Sequence, residues 1–97
     1  ETANNSTQAV TLKSYPNPFL NSTSFSFSLT DDRFVSLSVF DITGRLIRDL
    51  SASSYGPGKH TLTWNGEDNQ GRTVNPGIYV CRLISGNQSE SIRVVAQ

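Results

Sequence analysis

The chain has 97 residues, of which 35% are hydrophobic, and eight basic residues balance eight acidic ones. A chain this short forms one small domain that buries roughly 60–65% of its unfolded surface and has little room for a deep catalytic cleft. Zero net charge argues against nucleic-acid binding, which requires a basic patch that releases counterions, and against electrostatic attachment to a membrane. No apolar run approaches the roughly 20 residues of a membrane-spanning helix, so no membrane span is predicted.

Apolar and small polar residues alternate along most of the chain, as they do in strands with one buried and one solvated face. The alternation begins at residues 25–29 and recurs at residues 35–39, 62–64, 79–83 and 92–94. About seven strands at a spacing of roughly 8–12 residues predict an all-β fold, an antiparallel β-sandwich. Residues 46–50 are ambiguous between helix and strand, but they are too few to form a stable helix alone.

The predicted core consists of the apolar residues that share one parity within these runs. They are Phe25, Phe27, Leu29, Val35, Leu37, Val39, Leu62, Trp64, Tyr79, Cys81, Leu83, Ile92 and Val94. Trp64 ends a run just before a polar loop, where its ring can cap the sandwich while its N–H finds a partner. Cys81 is the single cysteine, so it forms no intrachain disulfide, and its apolar neighbours predict a buried small side chain.

Polar segments with glycine or proline separate the runs and predict turns. In the segment Asp41-Ile42-Thr43-Gly44-Arg45, the aspartate can hydrogen-bond the backbone two residues on, and Gly44 can adopt the positive φ that closes a hairpin. Further turns are predicted at residues 55–58, 65–71, 75–77 and 85–87.

Residues with catalytic potential are few and isolated. His60 is the only histidine, so no His-based metal cluster is possible, and its place in an alternating run predicts a partly buried structural role. The carboxylate pairs Asp31-Asp32 and Glu67-Asp68 are adjacent on turns, whereas a glycosidase needs two carboxyl groups across a cleft. No catalytic residue, metal site or cofactor is therefore predicted, and the chain is not expected to be an enzyme.

Two binding alternatives stay open from the residues alone. The segment 65–71 carries oxygen-bearing side chains at alternate positions and a glycine, which is typical of a weak calcium loop, although the distal glutamate of an EF-hand is missing. Exposed aromatic side chains on a flat sheet can bind sugars by stacking, and the candidates are Tyr15, Tyr55 and Trp64.

Three blocks of sequence together resemble a known family. The blocks are Tyr15-Pro16-Asn17-Pro18-Phe19, then Val39-Phe40-Asp41-Ile42-Thr43-Gly44-Arg45, and then residues 58–66 continuing through Gly71-Arg72 to Gly77-Ile78-Tyr79. In this order they resemble the C-terminal sorting domain of type IX (Por) secretion cargo proteins. They are also similar to the Ig-like domain of flagellar hook-capping proteins.

The resemblance implies an Ig-like sandwich that acts as an address for a larger secreted protein. An outer-membrane secretion translocon would recognise the folded domain, and a sortase-like peptidase would process it. The protein would pass through the periplasm and be secreted or held at the cell surface.

The residues predicted to meet the translocon are those of the final strand, because an exposed edge strand can be read by β-augmentation. They are Ser91, Ile92, Arg93, Val94, Val95, Ala96 and Gln97. The remaining motif residues are predicted to be mainly structural: Tyr15, Pro16, Asn17, Pro18, Phe19, Asp41, Gly44, Arg45, Trp64, Gly66, Gly71, Gly77 and Tyr79.

The domain organisation follows from the ends of the chain. The chain contains no Met and begins without a signal segment, so a fragment of a longer protein is expected. Residues 1–9 predict a flexible linker from an upstream domain, and residues 10–97 the Ig-like sorting or accessory domain. Family tails often end in an apolar run closed by Lys or Arg, whereas this chain keeps the apolar run but ends in Gln97. That departure favours the alternative of a structural accessory domain that packs on or spaces an upstream hydrolase.

Overall fold

The computed structural model describes residues 10–97, so the linker predicted at residues 1–9 lies outside the described residues. The strands are β1 (Leu12–Tyr15), β2 (Thr23–Leu29), β3 (Arg33–Asp41), β4 (Leu46–Tyr55), β5 (Gly58–Trp64), β6 (Gly77–Ser85) and β7 (Gln88–Ala96). The all-β prediction is confirmed, with seven strands in two antiparallel sheets. Within the described range, no helix is long and apolar enough to cross a bilayer.

The two sheets differ in size and in order. Sheet A has three strands in the order β1-β2-β5, and sheet B has four in the order β4-β3-β6-β7. The chain changes sheets between β2 and β3, again between β4 and β5, and again between β5 and β6. Consecutive strands therefore often lie on opposite sides of one core, as in Ig-like sandwiches.

The core lies between the sheets and contains most of the predicted residues. Eleven of them are buried: Phe25, Phe27, Leu29, Val35, Leu37, Val39, Trp64, Tyr79, Cys81, Leu83 and Val94. Leu62 and Ile92 are only partly buried and pack against this cluster. Five further core residues carry no clear alternation in the sequence, and they are Val10, Leu12, Phe19, Ile47 and Ala96.

Strand β4 resolves the ambiguity at residues 46–50. Its register against β3 shifts twice, between Leu37 and Ser38 and between Val39 and Phe40. Such bulges add residues to one strand and break the alternation of inward and outward side chains. The period-two pattern is therefore absent from β4, although Ile47 is buried and Leu50 packs on the core.

Candidate recognition surface

The segment between β1 and β2, residues 16–19, is bound to the outer edge of β7, and we call it the clip. The Asn17 side chain acts like a short piece of backbone: its Nδ2 donates to the Arg93 carbonyl at 2.8 Å, and its Oδ1 accepts from the Val95 N–H at 3.0 Å. Phe19 N–H donates to the Val95 carbonyl, and Gln97 N–H donates to the Phe19 carbonyl, each at 2.9 Å. The clip therefore runs parallel to the end of β7 and occupies its edge.

Thr23 anchors the clip from the other side. Its hydroxyl donates to the Pro16 carbonyl at 2.8 Å, and its side chain is itself buried. The peptide bonds that precede Pro16 and Pro18 are both cis. Tyr15, at the start of the motif, is 82% exposed and takes no part in holding the clip, so it remains free to contact other molecules.

Phe19 inserts into an aromatic cluster at the end of the sandwich. Its ring meets Trp64 edge to face at a centroid distance of 5.4 Å, and Trp64 meets Tyr79 in the same way at 5.6 Å. Gly66 lies against the Phe19 ring and has a φ of +73°, which side-chain-bearing residues rarely adopt. Edge-to-face aromatic pairs add about 0.5–1.5 kcal/mol beyond burial, so this cluster fixes the clip on the core.

The polar tips of this cluster hold the neighbouring loops. Trp64 Nε1 donates to the Glu67 carbonyl at 2.9 Å, which confirms the partner expected for the indole. Tyr79 hydroxyl donates to the Asn75 carbonyl at 2.6 Å. Burial, and secondarily the Asp41 carboxylate, raises the pKa of Tyr79, so the phenol keeps its proton and its role as a donor.

The β3–β4 hairpin is closed by Asp41, as the sequence predicts. Its Oδ1 accepts from the Thr43 and Arg45 backbone N–H groups, both at 3.0 Å, and from the Thr43 hydroxyl at 2.6 Å. Its Oδ2 lies 3.2 Å from Arg45 Nε, and Gly44 has a φ of +92°. The Thr43 hydroxyl bond and then the Arg45 backbone bond hold the pKa of Asp41 below its usual value.

The same turn is built a second time in the loop after β5. Asp68 Oδ1 accepts from Gln70 N–H and Arg72 N–H, both at 2.9 Å, and Arg72 Nε lies 3.5 Å from Asp68 Oδ2. The Arg72 backbone bond is the first cause of a lowered pKa at Asp68. The Asp-x-x-Gly-Arg pattern occurs at residues 41–45 and again at residues 68–72, and this repeat explains why the turn predicted at residues 65–71 closes in the same way as the first.

The hydrogen bonds of the Asp68 carboxylate argue against the calcium loop considered for residues 65–71. A calcium ligand must offer free carboxylate lone pairs, whereas the Asp68 carboxylate accepts from two backbone N–H groups and faces an arginine. The residues therefore fit a turn closed by its own donors better than a cation loop. Among residues 10–97, no three His, Cys, Asp or Glu side chains cluster in a way that could hold a metal ion.

The second turn also covers the opposite edge of sheet B. Asn69 N–H donates to the Ile47 carbonyl at 2.9 Å, and Asn69 Oδ1 accepts from the Asp49 N–H at 3.0 Å. The Arg48 guanidinium donates to the Asp68 carbonyl at 2.8 Å. The strand pairing places this part of β4 and the end of β7 at the same end of the sheet, so asparagine side chains protect both edges there.

Most of the remaining residues considered for catalysis or sugar binding have structural roles in the core. Cys81 is buried, and burial raises its pKa to about 12, which keeps the thiol protonated and unreactive. His60 is half-buried, and its Nε2 hydrogen-bonds the Gly56 carbonyl at 2.7 Å. Its ring packs against Phe27 and Tyr55. Of the three candidate sugar-stacking residues, Trp64 is fully buried and Tyr55 packs on the core, which leaves Tyr15.

The residues predicted for translocon recognition lie on two faces of β7. Val94 and Ala96 point into the core, and Ile92 packs against it. Ser91 and Arg93 are exposed on the opposite face, together with the half-buried Val95. The edge is not open along this whole stretch, because the clip binds it from Arg93 to Gln97. β-augmentation there would first have to displace the clip.

The FlgD Ig-like domain family matches residues 17–89. A protein named basal-body rod modification protein FlgD, from Salmonella typhimurium strain LT2, is 34% identical over 53 residues, which cover 55% of this chain and 23% of that protein. The chain therefore spans about a quarter of the length of the curated relatives it matches.

Solved structures with the same fold include two proteins of Porphyromonas gingivalis. Dimeric latent PorU matches with a TM-score of 0.71 at 18% identity, over 88% of this chain and 9% of that chain. PorZ, described as an essential surface component of the type IX secretion system, matches with a TM-score of 0.61 at 21% identity, over 89% of this chain and 11% of that chain. At these identities the likeness shows the fold alone.

Proposed function

Since this chain belongs to the FlgD Ig-like domain family, we propose that it serves as a non-catalytic C-terminal sorting domain. It directs a larger secreted protein through the type IX secretion system to the cell surface. An outer-membrane translocon reads the folded domain after the cargo has entered the periplasm, and a sortase-like peptidase acts afterwards.

One observation carries this proposal: the clip, which is part of the first sequence block that resembles the type IX sorting domain, is bound to the final strand. Asn17 and Phe19 belong to the block Tyr15-Pro16-Asn17-Pro18-Phe19, and they bond the backbone of residues 93–97. The final strand is therefore completed only when the first motif is docked on it. A translocon that reads this end of the domain would accept a folded domain and reject an unfolded one.

Two further points support the proposal. The fold likeness to PorZ and PorU links this sandwich to proteins of the type IX system, since PorZ is described as a component of it. Cys81 is buried with a pKa raised to about 12 and His60 is hydrogen-bonded to the Gly56 carbonyl, and these structural roles are compatible with a module that is recognised by a partner.

The direct test is export of a reporter. Residues 1–97 are fused behind a reporter with an inner-membrane leader in a type IX-competent bacterium, and the reporter is measured in the medium and on the surface. We expect export with the full chain and retention when residues 91–97 are deleted. Retention with both versions would contradict the proposal. The matched control is Thr61→Ala, an exposed residue of sheet A, which should leave export unchanged.

A structural accessory domain is the second candidate, and the similarity to FlgD favours it. FlgD is named as a basal-body rod modification protein, which is a role other than type IX secretion. Under this reading the sandwich packs on or spaces an upstream hydrolase. Removal of the domain should then lower the melting temperature of the parent protein, and export should not depend on residues 91–97.

A carbohydrate-binding module is the third reading and has the least support. Of its three candidate aromatics only Tyr15 is strongly exposed, and a flat stacking platform needs more than one ring. Retention of the purified chain by cellulose or chitin, lost in Tyr15→Ala, would favour this reading over the other two.

A further inference from the structure

The outer face of sheet B carries a band of apolar side chains that the core does not use. Phe40 on β3, Val80 on β6 and Arg93 on β7 lie directly opposite one another across three strands. Ile78 and Ile84, on the same face of β6, are 40% and 44% exposed. Further apolar members of this face are Phe34, Leu46 and Val95. The band consists of two groups, because Ser36, Ser38 and Arg82 separate Phe34 and Ile84 from the residues around Phe40 and Val80. Exposed apolar groups of this kind mark interaction sites in soluble proteins.

Two arginines lie among these apolar residues. Arg82 stacks on the Phe40 ring at 5.6 Å from its centroid, and Arg93 is exposed beside Val80. Within residues 10–97, neither guanidinium has a carboxylate within salt-bridge distance. Asp49, at the β4 margin of the face, accepts a hydrogen bond from Ser38 at 3.0 Å instead. The face therefore offers two cations without internal counter-charges.

A shallow depression lies at the clipped end of this face. It has a volume of about 220 Å³ and is lined by Phe40, Asp41, Ile42, Gly44, Val80 and Arg82; the Asp41 carboxylate is already bound to Thr43 and Arg45. Ile42, at the tip of that turn, is 73% exposed. An apolar anchor from a partner can enter such a depression, while a carboxylate beside it meets Arg82.

The outer face of sheet A provides the contrast. Across its three strands, Ser26 lies between Lys13 and Thr61, and Ser24 lies between Tyr15 and Thr63. Ser28 lies opposite Lys59. This face also carries two cations, but they are lysines among hydroxyl groups. Arginine is enriched at protein interfaces and lysine is depleted there, because the guanidinium is less strongly hydrated and pairs with carboxylates through two donors. Only sheet B has both the apolar surface and the arginines that an interface needs.

We propose that the outer face of sheet B binds a protein partner whose contact surface is apolar and carries carboxylates that pair with Arg82 and Arg93. The inference rests on the proposed function, because it assigns the surface through which the secretion apparatus reads the domain. The edge near residues 93–97 is closed by the clip, so the partner packs on the face and does not extend the sheet there.

The experiment uses the reporter fused to residues 1–97 and two matched double charge reversals. Arg82→Glu/Arg93→Glu changes sheet B, and Lys13→Glu/Lys59→Glu makes the same charge change on sheet A. We expect the sheet B variant to reduce export by about tenfold or more and the sheet A variant to leave it within about twofold. Melting of each purified chain checks folding, and if the glutamate pair unfolds, Arg82→Gln/Arg93→Gln replaces it with the same expectation.

The outcomes separate the inference from the proposed function. If the parent fusion is not exported, the sorting role fails and the inference falls with it. If the parent and the sheet B variant are exported equally, only the inference fails. If the sheet A and sheet B variants lose export equally, the cause is a general effect of charge, and the inference is again wrong. Conversely, a loss confined to folded sheet B variants supports it.

A second copy of the chain is the other occupant that the test must distinguish. Sedimentation of the purified chain over a range of concentrations gives its oligomeric state. If the parent chain dimerises and the Arg82→Glu/Arg93→Glu variant does not, the face binds its own copy and the proposal of a carboxylate-bearing foreign partner is wrong. A monomeric parent chain is the expected result.

Discussion

The two outer faces of this sandwich obey the same alternation and yet differ in chemistry. Sheet A presents serines, threonines, two lysines and Tyr15 to solvent, whereas sheet B presents Phe40, Val80, Ile84 and two arginines. Folding requires only that the inner face of each sheet be apolar, so the outer residues are free to vary. Folding therefore does not account for the apolar side chains and arginines on the outer face of sheet B, which the proposed docking role does explain.

The largest expected effect comes from the core that both sheets share. Trp64→Ala removes a fully buried ring that packs on Phe19 and Tyr79, and it should cost about 3–5 kcal/mol of a total that is typically 5–15 kcal/mol. Chemical denaturation measures this loss. Tyr15→Ala, on the exposed face of sheet A, should stay within about 0.5 kcal/mol. Equal stability of the two variants would show that the indole is not a core residue.

A smaller effect is expected at the clip, which joins the β1–β2 connection of sheet A to the edge of β7 in sheet B. Asn17→Ala removes the bonds to the Arg93 carbonyl and the Val95 N–H, at about 0.5–1.5 kcal/mol each, so a loss of about 1–3 kcal/mol is expected. Hydrogen exchange at the Val95 amide should accelerate as well. Asn21→Ala is the control, because Asn21 is exposed just beyond the clip. Unchanged exchange at Val95 would mean that the clip does not protect this edge.

The two aspartate turns, which lie near each other at the β4 side of sheet B, predict that stability depends on pH. Because the pKa of Asp41 is lowered in the folded chain, its carboxylate stabilises the fold above the ordinary pKa of 3.8, and this contribution is lost as the pH falls through the folded-state pKa. Asp41→Asn should therefore melt below the parent at pH 7, and the gap should close in acid. Asp68→Asn, in the matching turn, should behave alike.

The control for this pair is Asp32→Asn, since the Asp32 carboxylate is exposed and accepts no hydrogen bond from the described residues. Its melting profile should follow that of the parent at every pH. A gap for Asp41→Asn that persists or widens in acid would contradict the assignment of the lowered pKa to the charged carboxylate.

The smallest effect is expected on the outer face of sheet B itself. Ile84→Thr keeps a β-branched side chain at a position that is 44% exposed, so stability should change by about 0.5 kcal/mol or less. Its inward neighbour Leu83→Ala should cost about 2–5 kcal/mol. Thermal unfolding compares the two. A large loss for Ile84→Thr would mean that the apolar band supports folding, which would remove the reason to assign it to binding.

The sequence predicted the strands whose outer residues are small and polar. In β2 and β3 serines separate the buried Phe25, Phe27, Val35 and Leu37, so the period of two is plain and the fold class follows. In β4 two bulges break the period, and β1 is only four residues long. A local pattern contains too few repeats in these strands to be recognised.

The candidate site was predicted less completely, because its contacts join residues far apart in the chain. The motif around Asn17 and the final strand were each identified, but their pairing across 78 residues is a property of the fold. From its own sequence, β7 is expected to have a free hydrogen-bonding edge. Only the folded sandwich shows that the clip occupies the end of this edge. Arg93 was identified only as part of the final strand and Arg82 was not identified at all, because the face that the two arginines share depends on the register of β6 and β7.

The parallel course of the clip and β7 affects how the molecule responds to tension. If the chain is pulled at residue 10 and at Gln97, the clip and the end of β7 are drawn in opposite directions along their length, and the bonds from Asn17 and Phe19 to residues 93–97 lie across the direction of pull. They are then loaded in shear and must break together, whereas an antiparallel terminal pair would unzip bond by bond. A module drawn through a narrow passage by either end would resist being unravelled at this point first.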